Sequence, residues 1–205
     1  MQNTVFDTPV VRTLLRWVSL AYLRIFGWRY EGQLPDVPKY VMIAAPHTSN
    51  WDFPITMFLA FAFNMKVYWM GKASIFKRPF GPVMRWLGGI PIDRSKANNV
   101  VENTIAVFNE HEKLVIVVPP EGTRNKVSYW KTGFYRIACG ANVPIVLGYL
   151  DFRRKAGGIG PVVIPTGDIE ADMYAIYSFY AGITGKYPEK SSAAAIEAEK
   201  CRKTA

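Results

Sequence analysis

The chain has 205 residues, half of them hydrophobic and 14% aromatic, which excludes disorder over most of its length and suits one full-sized domain better than two. A formal charge of +9 favours an anionic partner without choosing between anionic lipid, phosphorylated metabolite and nucleic acid. Cys139 and Cys201 stand far apart, outside any CxxC or Cys/His cluster, so neither a disulfide framework nor a structural zinc site is expected, and the composition fits a reducing compartment. Cys139 is expected to be buried and Cys201 to sit in an exposed tail. The N-terminus MQNTVFDTPV carries Asp7 and no basic stretch ahead of an apolar run, so no signal peptide is expected. No apolar run reaches the ~18 residues of a membrane-spanning helix.

Val10 to Trp28 has the periodicity of an amphipathic helix. Arg12, Arg16, Ser19 and Arg24 fall on one side, interrupted by Leu20 and Leu23, while Leu14, Trp17, Val18, Ala21, Tyr22 and Ile25 fall on the other. A basic face opposite an aromatic and aliphatic one suits a membrane interface. Residues 1–30 are therefore expected to form an interfacial helix, and 31–205 the catalytic domain. Tyr40–Ala45 reads as a buried strand, Pro54–Met65 as an apolar helix and Val67–Met70 as a second strand. Gly88-Gly89 turns into the strand-like Ile90-Pro91-Ile92, and Asn98–His111 has helical spacing. Leu114–Val118 is the clearest strand, apolar throughout as burial on both faces requires. Tyr135–Cys139 is expected helical and Ile145–Tyr149 a strand, Lys155–Gly160 a loop, Val162–Ile164 a strand, and Pro165–Asp168 a turn. Asp172–Tyr180 and Ser191–Ala205 are expected helical. The alternation of strands and helices predicts a single α/β domain with a mixed, largely parallel central sheet flanked by helices, preceded by the N-terminal amphipathic helix.

Three polar clusters directly follow apolar strands, where open α/β sheets place their ligand sites. In the first, His47 and Asp52 are five residues apart across a strand-to-helix turn, close enough for the carboxylate to fix the imidazole tautomer and leave the other ring nitrogen free to accept a proton. His111, the second histidine, lies between Glu110 and Glu112 and is expected to face solvent. The second cluster is Gly89-Ile-Pro-Ile-Asp-Arg94, whose arginine suits bidentate binding of a phosphate. The third is Pro120-Glu121-Gly122-Thr123-Arg124, with Gly122 allowing a tight turn or a close approach to a ligand. Lys131 follows within a few residues.

Together with Val143-Pro144-Ile145-Val146, these clusters resemble the four ordered motifs of the glycerolipid acyltransferase family, of the 1-acylglycerol-3-phosphate acyltransferase (PlsC) type. The resemblance spans roughly residues 40 to 150. It implies that His47 is the general base and Asp52 its orienting partner. Arg94, Glu121, Gly122, Thr123 and Arg124 would bind the acceptor, with the arginines on its phosphate. Pro144 and its neighbours would shape the apolar side of the site, and Lys72 is the candidate oxyanion stabiliser. The sequence departs from the family pattern at Pro46, where asparagine is common, and at Asn125-Lys126, where a small hydroxyl residue is often found. Those departures bear on the acceptor rather than on the reaction.

The function so implied is transfer of a fatty acyl group from acyl-CoA or acyl-carrier protein to the hydroxyl of a lysophospholipid. No metal or redox cofactor is expected. Expected partners are anionic membrane lipids, a lysophospholipid acceptor such as 1-acylglycerol-3-phosphate and the acyl donor, with peripheral attachment at the cytoplasmic face of a membrane. A serine hydrolase built on Ser49 or Ser95 is disfavoured by the absence of a GxSxG elbow. Nucleic-acid binding would rest on net charge alone. A non-catalytic lipid- or anion-binding module on the same fold is the remaining alternative.

Overall fold

The computed structural model describes residues 3–93 and 97–192. Arg94, Ser95 and Cys201 fall outside them, as does the expected C-terminal helix beyond Ser192. Seven strands form one sheet, ordered β1 (Arg29–Glu31), β7 (Ala156–Val163), β6 (Ile145–Asp151), β2 (Lys39–Ala45), β5 (Leu114–Val118), β3 (Tyr68–Lys72) and β4 (Gly89–Ile92). Every neighbouring pair is parallel except β6 and β7. The α/β class and the mixed, largely parallel sheet expected from the sequence are what the structure shows.

Alternation along β2 explains why its sequence is apolar without a break. Val41, Ile43 and Ala45 join one core with Phe108 of α4 (Ala97–Glu110), Phe134, Ile137 and Ala138 of α5 (Gly133–Ala141), and Ile176 and Tyr180 of α6 (Ile169–Ala181). Tyr40 and Met42 point to the opposite layer, where Met57, Ala60 and Phe61 of α2 (Asp52–Ala62) cover them. Both faces of the strand are thus occupied, so a polar residue at either parity would lose its water. The short α3 (Gly81–Trp86) lies between β3 and β4 in the chain.

The helix α1 (Pro9–Ile25) sits on α2, and it stops earlier than periodicity suggests. Gly27 adopts φ +70°, and the Trp28 N–H closes onto the Leu23 carbonyl at 2.7 Å, a glycine-terminated helix end. The helix packs through Leu20 and Leu23, which interrupted its basic side, together with Val11, Leu15 and Tyr22. Leu23 is buried with Ile55, Leu59 and Ala62, with Leu20 against them. Leu14, Trp17, Val18 and Ile25 stay exposed, Trp17 at 69% and Ile25 at 76%. The apolar stripe of this helix therefore faces away from the protein.

One expectation failed at the glycines, and the short edge strand went unpredicted. Lys155–Gly160 was expected to be a loop, yet Ala156–Val163 is the strand that pairs β6 on one side and β1 on the other. Glycine is needed there because the layers approach too closely for a side chain. A Cβ on Gly160 would stand 2.4 Å from Phe179 Cζ and 2.7 Å from the Leu147 carbonyl oxygen. The edge strand β1, too short to carry a pattern, is pinned by Glu31, which accepts from Tyr149 Oη at 2.7 Å and from Arg154 at 2.7 Å. Cys139 is exposed rather than buried, on the outer side of α5. Gly160→Ala is expected to cost about 1–3 kcal/mol by overpacking against a backbone oxygen that cannot yield. A urea titration checks this as a lower midpoint at unchanged slope.

Candidate active site

The chain leaves β2 at Ala45 and enters α2 at Asp52, and the six residues between are gathered by one carboxylate oxygen. Asp52 Oδ2 accepts from His47 Nδ1 at 3.0 Å, from the Thr48 N–H at 2.8 Å and from the Ser49 N–H at 2.8 Å. The aspartate is buried in the first turn of α2, where the helix dipole favours its negative charge. Because a carboxylate can only accept, the shared proton is assigned to His47 Nδ1, which leaves Nε2 as the proton acceptor. The imidazole is one-fifth exposed.

A second carboxylate holds the same loop from behind. Glu121, just past β5, is only 2% exposed. Its Oε2 accepts the main-chain N–H of His47 at 2.6 Å, and its Oε1 accepts the Ser192 hydroxyl at 2.8 Å. Ser192 in turn accepts Trp130 Nε1–H at 3.2 Å. Burial pushes the Glu121 carboxyl pKa up, and the donors from His47 and Ser192 offset only part of that push. Gly122 turns the chain at φ +64°, closed by its N–H to the Pro119 carbonyl at 3.1 Å.

His47 opens onto a cavity of about 560 Å³ between α2 and the sheet. Its depth is apolar, with Met42, Met57, Ala60, Val117, Leu150 and Ile159 among the lining residues. Residues that both line the cavity and are exposed mark its mouth, and they include Asn50, Lys72, Ile75 and Arg124. Arg124 also borders a polar recess of about 340 Å³ shared with Thr48, Asn50, Tyr187 and Lys190. The arrangement offers a base, an apolar chamber within the roughly 300–1,000 Å³ of small-molecule sites, and cationic side chains at the entrance.

The acyltransferase family model matches residues 29–147, a stretch holding both the His47 loop and the Glu121 turn. The chain belongs to the acyltransferase family. No curated protein sequence matches it. This acyltransferase is similar in fold to the crystal structure of the 1-acyl-sn-glycerophosphate (LPA) acyltransferase, PlsC, from Thermotoga maritima. The TM-score is 0.55 at 17% identity, over 85% of this chain and 82% of that one.

The sheet brings His47, Asp52, Lys72, Gly122, Thr123 and Arg124 together around the cavity of this acyltransferase, each after the C-terminal end of β2, β3 or β5. Glu121, expected on the acceptor, has its carboxylate beneath the wall and engaged by protein donors. Arg94 lies outside the described residues. Pro144 stands at the far end of β6, its carbonyl accepting the Val41 N–H at 3.0 Å, and the residues of β6 that line the cavity are Gly148, Tyr149 and Leu150. His111 is partly buried, with Nδ1 2.8 Å from the Val107 carbonyl oxygen. Sequence reasoning missed the segment after α6. The Tyr187 N–H donates to Thr48 Oγ1 at 3.3 Å and Ser192 reaches Glu121, and no motif marks either residue.

Glu121→Gln keeps the shape of this junction and removes its charge. A carboxyl pKa raised on folding means that the folded protein holds the proton more tightly than the unfolded chain. Wild-type stability therefore falls as pH climbs from the ordinary value of 4.5 through the raised one. Glu121→Gln is expected to lack that loss, so urea unfolding at pH 5 and pH 7 should show the variant gaining on wild type as the pH rises. In protein labelled with ¹⁵N-histidine, the His47 amide resonance should move in the variant while that of His111 stays put.

Proposed function

We propose that this acyltransferase moves a fatty acyl group from acyl-CoA or acyl-carrier protein to the hydroxyl of a lysophospholipid, with 1-acylglycerol-3-phosphate the foremost acceptor, at the cytoplasmic surface of a membrane. The observation that carries this reading is the His47–Asp52 pair at the entrance of a deep apolar cavity with Arg124 on its rim. The cavity suits an acyl chain, and the arginine suits a phosphate, which a guanidinium binds through two parallel hydrogen bonds.

In the mechanism, His47 Nε2 takes the proton of the acceptor hydroxyl as its oxygen attacks the thioester carbonyl carbon. Asp52 stabilises the imidazolium that forms, and it holds the ring by the Nδ1 bond. The carbonyl π electrons move to oxygen, and Lys72 is the proposed donor to that oxyanion. Collapse of the tetrahedral intermediate breaks the C–S bond, and the imidazolium proton passes to the departing thiolate. The products are an ester and a free thiol, and the histidine returns to its starting state. Glu121 fixes where the ring is carried through the His47 main chain.

Membrane attachment is supported by α1. Its outward apolar stripe includes Leu14, Trp17 and Ile25, each more than 60% exposed, and exposed Arg16 and Arg24 lie on the same helix. Among the described residues no helix is long and apolar enough to cross a membrane. We accordingly assign the outward face of α1 to the interface, while Arg29–Glu31, which forms β1 of the sheet, goes with the catalytic domain.

Wild type incubated with a long-chain acyl thioester and a panel of lysolipids is expected to form a diacyl product identifiable by mass spectrometry. His47→Ala should lower the rate on the order of 10²–10⁴-fold. Equal product from both proteins would remove His47 as the base. Substituting Leu14, Trp17 and Ile25 together by serine is expected to weaken binding to anionic liposomes by about a thousandfold or more, since each inserted side chain contributes roughly 1.5–3 kcal/mol. Binding retained at full strength would sink the role given to α1.

A further inference from the structure

The cavity mouth carries a second exposed apolar feature, separate from α1 in sequence. From Phe53 to Ile92 the chain contains no aspartate or glutamate, while Lys66, Lys72, Lys77, Arg78 and Arg85 all fall there. Within this stretch, Ile75, Phe80, Val83 and Trp86 are exposed, Phe80 to 67%. Lys72, Lys77 and Arg78 are exposed around them. Four large apolar side chains each leave 40% or more of their surface in water on one short segment, an exposed cluster that marks an interaction surface.

The segment is a firm knob rather than a loose loop. Phe76 is buried under it and stacks on Trp69 at 5.5 Å between ring centroids. Arg85 sits over the Phe76 ring at 5.5 Å and donates to the Phe76 carbonyl at 3.3 Å. Gly81 lies so close that a Cβ there would stand 2.0 Å from the Phe76 carbonyl oxygen. The inner side of the knob is cavity wall, through Ser74, Ile75 and Met84.

We propose that the knob formed by residues 73–86 docks into an anionic phospholipid bilayer, with Phe80, Val83 and Trp86 among the acyl chains and Lys77 and Arg78 at the headgroups, while Lys72 stays at the cavity mouth. This deepens the membrane-surface reading above and rests on it. A purely cationic rim around aromatic and aliphatic tips matches an anionic interface, where each basic residue contributes about 1 kcal/mol and aromatic rings favour the headgroup boundary. An acidic protein partner would match the lysines, but it leaves a mostly exposed phenylalanine without a reason. Docked in this way, the cavity mouth at Ile75 meets the bilayer directly, and a lipid chain reaches His47 without crossing water.

The test uses the full chain with Cys139→Ser and Cys201→Ser, and a single Val83→Cys carrying an environment-sensitive fluorophore. Tyr174→Cys, on α6 and so on the opposite face of the sheet, serves as control. Vesicles of phosphatidylcholine with phosphatidylglycerol are expected to shift the Val83 probe to the blue and to leave the 174 probe unmoved. Vesicles of phosphatidylcholine alone, or high salt, should weaken the shift. Nitroxide groups on the lipid acyl chains should quench the Val83 probe alone. Phe80→Ser with Val83→Ser should lose on the order of a hundredfold in vesicle affinity with the thermal midpoint little changed, because Phe80 is 67% and Val83 48% exposed in the fold. A chain that floats with vesicles while the Val83 probe stays unshifted would overturn the proposal, as would a shift produced only by an acidic acyl-carrier protein, or no flotation at all. Transfer to a detergent-dispersed acceptor is measured alongside, so that loss of this docking surface and loss of the acyltransferase reading give different results.

Discussion

One oxygen atom organises the catalytic corner. Asp52 Oδ2 draws in the His47 ring and two main-chain N–H groups, so the loop between β2 and α2 cannot open without stripping a buried carboxylate of three donors at once. Removing those donors is costly because the charge is shielded from water, and the same shielding makes the pairing with His47 strong. The turn is therefore both a structural closure and the element that sets the imidazole tautomer. Glu121 repeats the device from the neighbouring strand, on the main chain rather than on the ring. Two buried carboxylates bracket a single histidine, one fixing its orientation and the other its position.

Those two constraints differ in how far they could be read from the sequence. The spacing of His47 and Asp52 across a strand-to-helix change announces the pair, because a local turn closes it and both residues have chemistry that stands out. Placement of Lys72 and Thr123–Arg124 beside them follows from strand ends alone, once the alternating pattern predicts a parallel sheet. The role of Glu121 could not be read in this way. A carboxylate after a strand looks solvent-exposed until Ser192 and Trp130 close over it, and those contacts span 71 and 62 residues of sequence separation. Periodicity carries no record of such pairs.

The same limit explains the errors in the fold. Glycine reads as a loop former because its usual meaning is conformational freedom, yet Gly160 is required for lack of space between β7 and α6. Helix α1 shows the converse, since its amphipathic pattern was plain in the sequence and its orientation was not. Two leucines that looked like interruptions in a basic face help attach it, together with Val11, Leu15 and Tyr22, and Leu14, Trp17, Val18 and Ile25 of the apolar stripe are left outside. Pattern reveals that a helix has two faces, but which face meets the protein depends on what the rest of the chain offers for packing.

This outward stripe and the knob beside the cavity have one physical consequence in common. A soluble enzyme taking a lysolipid from a bilayer and returning a diacyl product would have to bring acyl chains through water, at about 0.8 kcal/mol for every CH₂ group exposed. An apolar cavity does not remove that cost if its mouth opens to solvent, since the chain still crosses water on the way in. Placing Ile75 in the wall of the cavity and Phe80 and Val83 on the outside of the same segment makes the apolar path continuous. The lack of any carboxylate from Phe53 to Ile92 fits that geometry, because a negative charge there would repel the anionic surface and stand against hydrocarbon. The two carboxylates that hold the His47 loop, Asp52 and Glu121, are withdrawn beneath the surface, and the charged side chains exposed at the mouth, Lys72 and Arg124, are cations.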